Sequence, residues 1–310
     1  MALSLASIAL SSCNTVQPIP INQITVKKGC ENFNLSTGTP LIKVFLNGNE
    51  RSFLLATGSP TTVIYDTLNL GSHGKQLASI QESGKSINAS EQLNDKNFAA
   101  HLKTALFESE RQTFSLVSTK NKDFIPNVEG VIGLDCFFGN KYALFLNFTD
   151  GKICNINEID LRNHLANKGF KAIKSQCRFN SVFIFLTIMG KEYKFLLDSG
   201  SAGHLIIPES AGVNLTHLNS MQMESTFCDP TQSITQRMDT HYEKAEVMVG
   251  KQRIPTKIIV SKTAKHQLIG VDFLKGFDWI IDYNNKKVYA KRNHIKIENT
   301  FDRKNDARAD

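Results

Sequence analysis

Residues 41–59 read LIKVFLNGNERSFLLATGS, and residues 183–201 read FIFLTIMGKEYKFLLDSGS. With Ala56 set against Asp198, an offset of 142, Ile42, Gly48, Glu50, Phe53, Leu54, Leu55, Gly58 and Ser59 recur identically, and most other apolar positions keep their type. A second pair follows, Val131-Ile132-Gly133-Leu134-Asp135 and Leu268-Ile269-Gly270-Val271-Asp272. Gly133 lies 77 residues after Ala56, and Gly270 lies 72 after Asp198. Two landmarks in the same order at nearly the same spacing identify a duplicated domain.

The local pattern is strand-like. Phe183–Ile188 and Tyr193–Leu197 read as a hairpin with its turn at Gly190-Lys191, and residues 41–55 repeat it around Asn47-Gly48, a strong two-residue turn signal. Further strands are expected at 113–118, 142–148, 244–249, 254–260, 278–283 and 287–291. One helix is expected from Ile159 to Lys168, with Gly169 as its C-cap, between the repeats. Short helices are expected after Asp66 and Gly270.

The chain has 310 residues, 41% hydrophobic and 21% charged, which fits about two units of 100–200 residues, each able to bury a core. No apolar run approaches the roughly 20 residues that cross a bilayer. Lys and Arg (36) exceed Asp and Glu (29) for a net charge of +7. The excess is scattered rather than gathered in a stripe with aromatics, which argues against a nucleic-acid partner. Six cysteines without a CxxC spacing argue against a zinc site or other metal and against a full disulfide framework. Buried thiols are the default expectation, with one or two disulfides if the protein is exported.

Leu196-Leu197-Asp198-Ser199-Gly200-Ser201, followed by apolar Leu205-Ile206-Ile207, resembles the active-site loop of pepsin/retropepsin-type aspartic proteases. Leu268-Ile269-Gly270-Val271-Asp272 resembles the apolar-apolar-Gly element packed behind that loop. Ala56-Thr57-Gly58-Ser59-Pro60-Thr61-Thr62 is the same loop apart from its first residue. The resemblance covers residues 38–292. It implies a mostly all-β, two-lobed fold, each lobe a retropepsin-like β-barrel, with a cleft between the lobes. The expected organisation is a signal or lipobox-like segment (1–13), a leader or tether (14–37), an N-terminal lobe (38–155), a linker with a short helix (156–180), a C-terminal lobe (181–293) and a polar tail (294–310), mobile over Glu298–Asp310.

The chemistry the resemblance implies needs no cofactor. Each lobe supplies one carboxylate, and the two meet across the cleft. Two such close charges cannot both ionise, so they share a proton, an effect for which aspartic proteases are the type example. The ionised member takes a proton from water and the protonated member donates to the substrate carbonyl. By resemblance, Asp198 is one catalytic residue and Ala56 stands at the position of the other. Thr57, Gly58, Ser59, Ser199, Gly200 and Ser201 are the expected supporting residues. In this reading the glycines let the loops approach the carboxylates, Ser59 and Ser201 bond a carboxylate, and Thr57 and Ser199 reach across to the opposite lobe. Asp135 and Asp272 match each other and read as architecture, and His204 reads as a rim or partly buried side chain. Substrate-covering hairpins are expected at Gln81–Asn94 and Met221–Met238.

A methyl group cannot hold a proton, so the chain as written is expected to hydrolyse peptides poorly or not at all. Three readings follow: an aspartic endopeptidase with Ala56 as a change in this copy, a pseudoprotease that binds extended peptides in its cleft, or a structural or interaction protein at a surface. The expected partner is a peptide or protein substrate, and the expected state is a monomer. Leu10-Ser11-Ser12-Cys13 resembles the lipobox of bacterial lipoproteins, which implies lipidation of Cys13 and a membrane-anchored, exported protein in the periplasm or at the cell surface. The segment departs from a signal peptide in lacking a positive start, since Lys27 is the first basic residue.

Overall fold

The computed structural model describes residues 24–65, 97–117, 128–137, 141–178, 180–213, 219–229, 232–262 and 264–295, of which 97–99, 110–117, 219–229 and 232–243 are described by their backbone alone. In chain order, β1 (Ile24–Val26) and β2 (Gly29–Asn32) precede the first repeat. That repeat holds β3 (Leu41–Leu46), β4 (Asn49–Leu55), β5 (Val63–Tyr65), β6 (Asn97–Lys103), β7 (Phe107–Val117), β8 (Gly130–Ile132), β9 (Ala143–Asn147) and β10 (Lys152–Ile156). Helix α1 (Glu158–Asn167), β11 (Lys171–Ile173) and β12 (Ser175–Arg178) connect to the second repeat. It comprises β13 (Ser181–Ile188), β14 (Lys191–Leu197), β15 (Leu205–Pro208), β16 (Asn219–Asp229), β17 (Gln232–Val249), β18 (Gln252–Ser261) and β19 (Leu268–Ile269). Helix α2 (Val271–Leu274), β20 (Phe277–Asp282) and β21 (Lys287–Arg292) complete it.

Alternation drives the strands. In β13, Val182, Ile184, Leu186 and Ile188 are fully buried while the residues between them are half-exposed, the period-2 pattern of a strand with one wet face. Burying each such side chain contributes about 1.5–3 kcal/mol. Asn47 (φ 49°) and Gly48 (φ 83°) form the turn between β3 and β4. The second hairpin turns at Met189 (φ 49°) and Gly190 (φ 80°), one residue earlier than expected, because Lys191 already pairs with Ile188.

Each repeat closes on itself as a ring of six strands. The first runs β3-β4-β8-β5-β7-β6 and closes through β6–β7; the second runs β13-β14-β19-β15-β18-β17 and closes through β13–β17. The registers repeat as well. Leu54 and Leu55 pair in parallel with Val131 and Ile132, as Leu196 and Leu197 do with Leu268 and Ile269. The result is a mostly β fold of two duplicated lobes, as expected from the sequence.

A third sheet joins the lobes in the order β11-β21-β20-β9-β10-β2. Its middle pairs Trp279 with Leu146 and Ile280 with Phe145. Trp279 is fully buried, and its indole N–H donates to the Leu274 carbonyl at 2.9 Å.

Two segments expected outside the lobes carry strands. The stretch expected as a tether carries β1 on β7 and β2 on β10, and it is fixed further by Asn155, whose Nδ2 donates to the Lys27 and Leu106 carbonyls. Cys30 of β2 is disulfide-bonded to Cys154, its partner across the strands. The linker contributes β11 to the joining sheet and β12 to the second ring. Helix α1 starts one residue earlier than expected because the Asn157 side chain accepts the Asp160 N–H at 2.8 Å, an N-cap bond. Cys13, the expected helix after Asp66, the expected hairpin at Gln81–Asn94 and the Glu298–Asp310 tail lie outside the described residues. Of the expected Met221–Met238 hairpin, Met221–Asp229 lies on β16 and Gln232–Met238 on β17, which pair antiparallel.

Candidate active site

The two conserved-spacing loops follow β4 and β14 and are placed by the strand behind each. The Ala56 N–H donates to the Ile132 carbonyl (3.1 Å) and the Asp198 N–H to the Ile269 carbonyl (3.0 Å). Each loop then turns back on itself: the Ser59 N–H donates to the Ala56 carbonyl and the Ser201 N–H to the Asp198 carbonyl. The crossing beneath each turn demands glycine. A Cβ on Gly133 would lie 2.5 Å from the Thr61 carbonyl oxygen, and one on Gly270 would lie 2.2 Å from that of Gly203.

The loops meet through Thr57 and Ser199, both fully buried. Thr57 Oγ1 donates to the Leu197 carbonyl at 2.8 Å and accepts the Ser199 N–H at 2.9 Å. Ser199 Oγ donates to the Leu55 carbonyl at 2.7 Å and accepts the Thr57 N–H at 3.0 Å. Four bonds thus join the lobes reciprocally, and each hydroxyl satisfies backbone groups of the opposite lobe that burial would otherwise leave unpaired.

Asp198 sits beside this joint with Gly58 of the other loop pressed on its carboxyl group. A Cβ on Gly58 would lie 2.3 Å from Asp198 Cγ. A Cβ on Gly200 would lie 2.8 Å from the Ala56 Cβ, so Ala56 faces Gly200 as Asp198 faces Gly58. The Gly200 N–H donates to Asp198 Oδ1 at 2.8 Å, and the Gly58 N–H also serves this carboxylate. Burial pushes the Asp198 pKa above the ordinary carboxylate value, against the pull of these two amides.

Some expected contacts differ. Ser59 Oγ donates to the Thr61 carbonyl at 2.7 Å rather than to a carboxylate, because the tight turn offers a nearer acceptor. His204 is fully buried, not at a rim. Two residues that the motif assigns no role, Thr62 and Lys257, also lie buried beside the loops. Thr62 Oγ1 donates to Asp135 Oδ1 (2.7 Å) and accepts the Gly133 N–H (3.0 Å), while the Thr62 N–H donates to Asp135 Oδ2 (2.9 Å). Lys257 is buried in β18 near His204. The same 142-residue offset that aligns the loops sets Thr62 against His204 and marks both as loop posts.

No protein-family model matches the chain, and no curated protein matches it. Among solved structures it is similar to the crystal structure of aspartic proteinase from Irpex lacteus, with 11% sequence identity and a TM-score of 0.49 over 86% of this chain and 98% of that one.

Proposed function

We propose that the chain is built as an aspartic endopeptidase whose inter-lobe cleft takes an extended peptide, and that with Ala56 it holds such peptides with little or no hydrolysis. One observation carries the reading: Ala56 faces Gly200 in the mirror image of Asp198 facing Gly58, within an intact reciprocal joint. The surroundings suit two carboxyl groups and one is present. A single carboxyl cannot be base toward water and acid toward the carbonyl in the same step. General acid–base assistance is worth about 10²–10⁴-fold per group, and one of the two contributions is missing.

Asp198 is the catalytic residue in this reading, and Thr57 and Ser199 hold the loops. Peptide binding by strand addition along the cleft would survive the loss of chemistry. Export to an oxidising compartment is supported by the Cys30–Cys154 disulfide, and lipidation of Cys13 would anchor the exported chain at a membrane surface.

The test sets the parent chain beside Ala56→Asp against a peptide library at acidic and neutral pH. The expected result is cleavage inhibited by a statine-type peptide in the variant alone, with that inhibitor bound by both proteins. A folded Ala56→Asp variant that cuts nothing, or a parent chain that binds neither peptide nor inhibitor, overturns the proposal.

A further inference from the structure

Behind each loop stands one residue that supports the glycine crossing. In the first lobe it is Thr62, fixed by its bonds to Asp135 and Gly133. In the second it is His204, whose backbone carbonyl accepts the Gly270 N–H at 2.7 Å. Its ring is poorly provided with partners. Nδ1 lies 3.4 Å from Thr256 Oγ1, Nε2 has no hydrogen-bond partner among the described residues, and Asp272 Oδ2 stands 3.9 Å from Nε2. The Asp272 carboxylate is itself engaged by Lys275 Nζ at 2.7 Å. The charged groups facing the ring are therefore Asp272 and Lys275 from the α2 turn and Lys257 from β18, with Thr256 as the neutral neighbour.

We infer that His204 is a positioning residue of the Asp198 loop, held as a neutral imidazole, and that its protonation sets the acid limit of the C-terminal lobe. An imidazolium here would lose its hydration and face two lysines, while its one attractive neighbour already pairs with Lys275. Burial accordingly pushes the His204 pKa down from 6.5 to about 4, Asp272 opposing and the two lysines assisting. The sign follows from linkage. Between these values the unfolded chain binds a proton that the folded chain refuses, so stability present above pH 6.5 is lost as pH falls toward 4. The loss in the folding equilibrium approaches about 300-fold below pH 4, of which roughly 80-fold is reached at pH 4.5. Acid would loosen the loop that carries Asp198, whatever the cleft does with peptides.

The first measurement is the titration of the His204 ring by NMR in the histidine-labelled parent chain. A ring that stays neutral until about pH 4 is expected, and a midpoint near 6.5 overturns the inference. The second compares urea unfolding of the parent with His204→Thr, the residue at the matching post, and with His204→Gln, at pH 7 and 4.5. Across that interval the parent should lose about 60-fold more of its folding equilibrium than either variant. A purely structural role would shift stability equally at both pH values, and that outcome also overturns it.

Discussion

Replacing Thr57 by Val tests whether the reciprocal joint holds the two loops together. The substitution keeps shape and removes one hydroxyl, which donates to the Leu197 carbonyl and accepts the Ser199 N–H. Both backbone groups lie in the fully buried joint, and each one left unpaired costs about 1–3 kcal/mol. The variant should therefore lose about 2–6 kcal/mol, a large share of the roughly 5–15 kcal/mol that keeps a domain folded. Ser199→Ala strips the Thr57 N–H and the Leu55 carbonyl in the same way and should cost about as much. The double variant should cost less than the sum, because the second loss falls on a joint already opened. Thr57→Ser, which keeps the hydroxyl, should stay within about 1 kcal/mol of the parent. Urea unfolding followed by fluorescence gives the readout, since Trp279 is the chain's one tryptophan and lies fully buried in the joining sheet. If Thr57→Val unfolds within about 0.5 kcal/mol of the parent, the joint does not hold the lobes and the reasoning fails.

Gly58→Ala should destabilise more than Gly200→Ala, because its methyl would lie 2.3 Å from Asp198 Cγ, whereas that on Gly200 would meet Ala56 Cβ at 2.8 Å. In an Ala56→Asp background the two substitutions should become equally severe; thermal midpoints of the four proteins decide it. Asp198→Asn should stabilise the chain at pH 7 and lose that advantage at pH 3. Burial raises the Asp198 pKa, so the folded state favours the protonated acid, and that stabilisation is full below the ordinary 3.8 and lost as pH rises through the folded value. Urea midpoints at the two pH values check the direction, and an unchanged difference between them would count against the buried carboxyl.

Much of the fold was legible because duplication supplies its own control. A single Asp-Ser-Gly turn says little, yet Leu54-Leu55 and Leu196-Leu197 recur with matching glycines downstream, and those glycines are forced by carbonyls within 2.5 Å of a would-be Cβ. The joining sheet was harder to read. Gly29–Asn32 carries only half-buried and exposed positions, so its place beside β10 comes from pairing with residues 124 positions away rather than from hydrophobic pattern. His204 was misplaced for a related reason. Its burial comes from β18 and the α2 turn, and a polar residue just past a loop carries no periodicity that announces such neighbours. Ser59 shows local competition: the Thr61 carbonyl two residues away captures a hydroxyl that the wider motif assigns to a carboxylate.

The joint owes nothing to the side chain at position 56. Ala56 contributes its N–H to Ile132 and its carbonyl to Ser59, and the four bonds of the joint come from Thr57 and Ser199 and the backbone they touch. Architecture and chemistry are therefore separable here, because the loops can keep their geometry with a methyl group where a carboxyl would stand. The cost of the methyl falls on Asp198 alone. Both loop amides, from Gly58 and Gly200, serve its single carboxylate, and the matching position of the other loop holds the Ala56 methyl in place of an acid. A residue in that position answers to burial and to two N–H donors rather than to a partner, so it titrates once. The split protonation on which two-carboxylate hydrolysis depends would come from a carboxyl at position 56, where this chain holds a methyl group. On the reading proposed above, such a site can hold a peptide and lacks the second proton carrier needed to cut it.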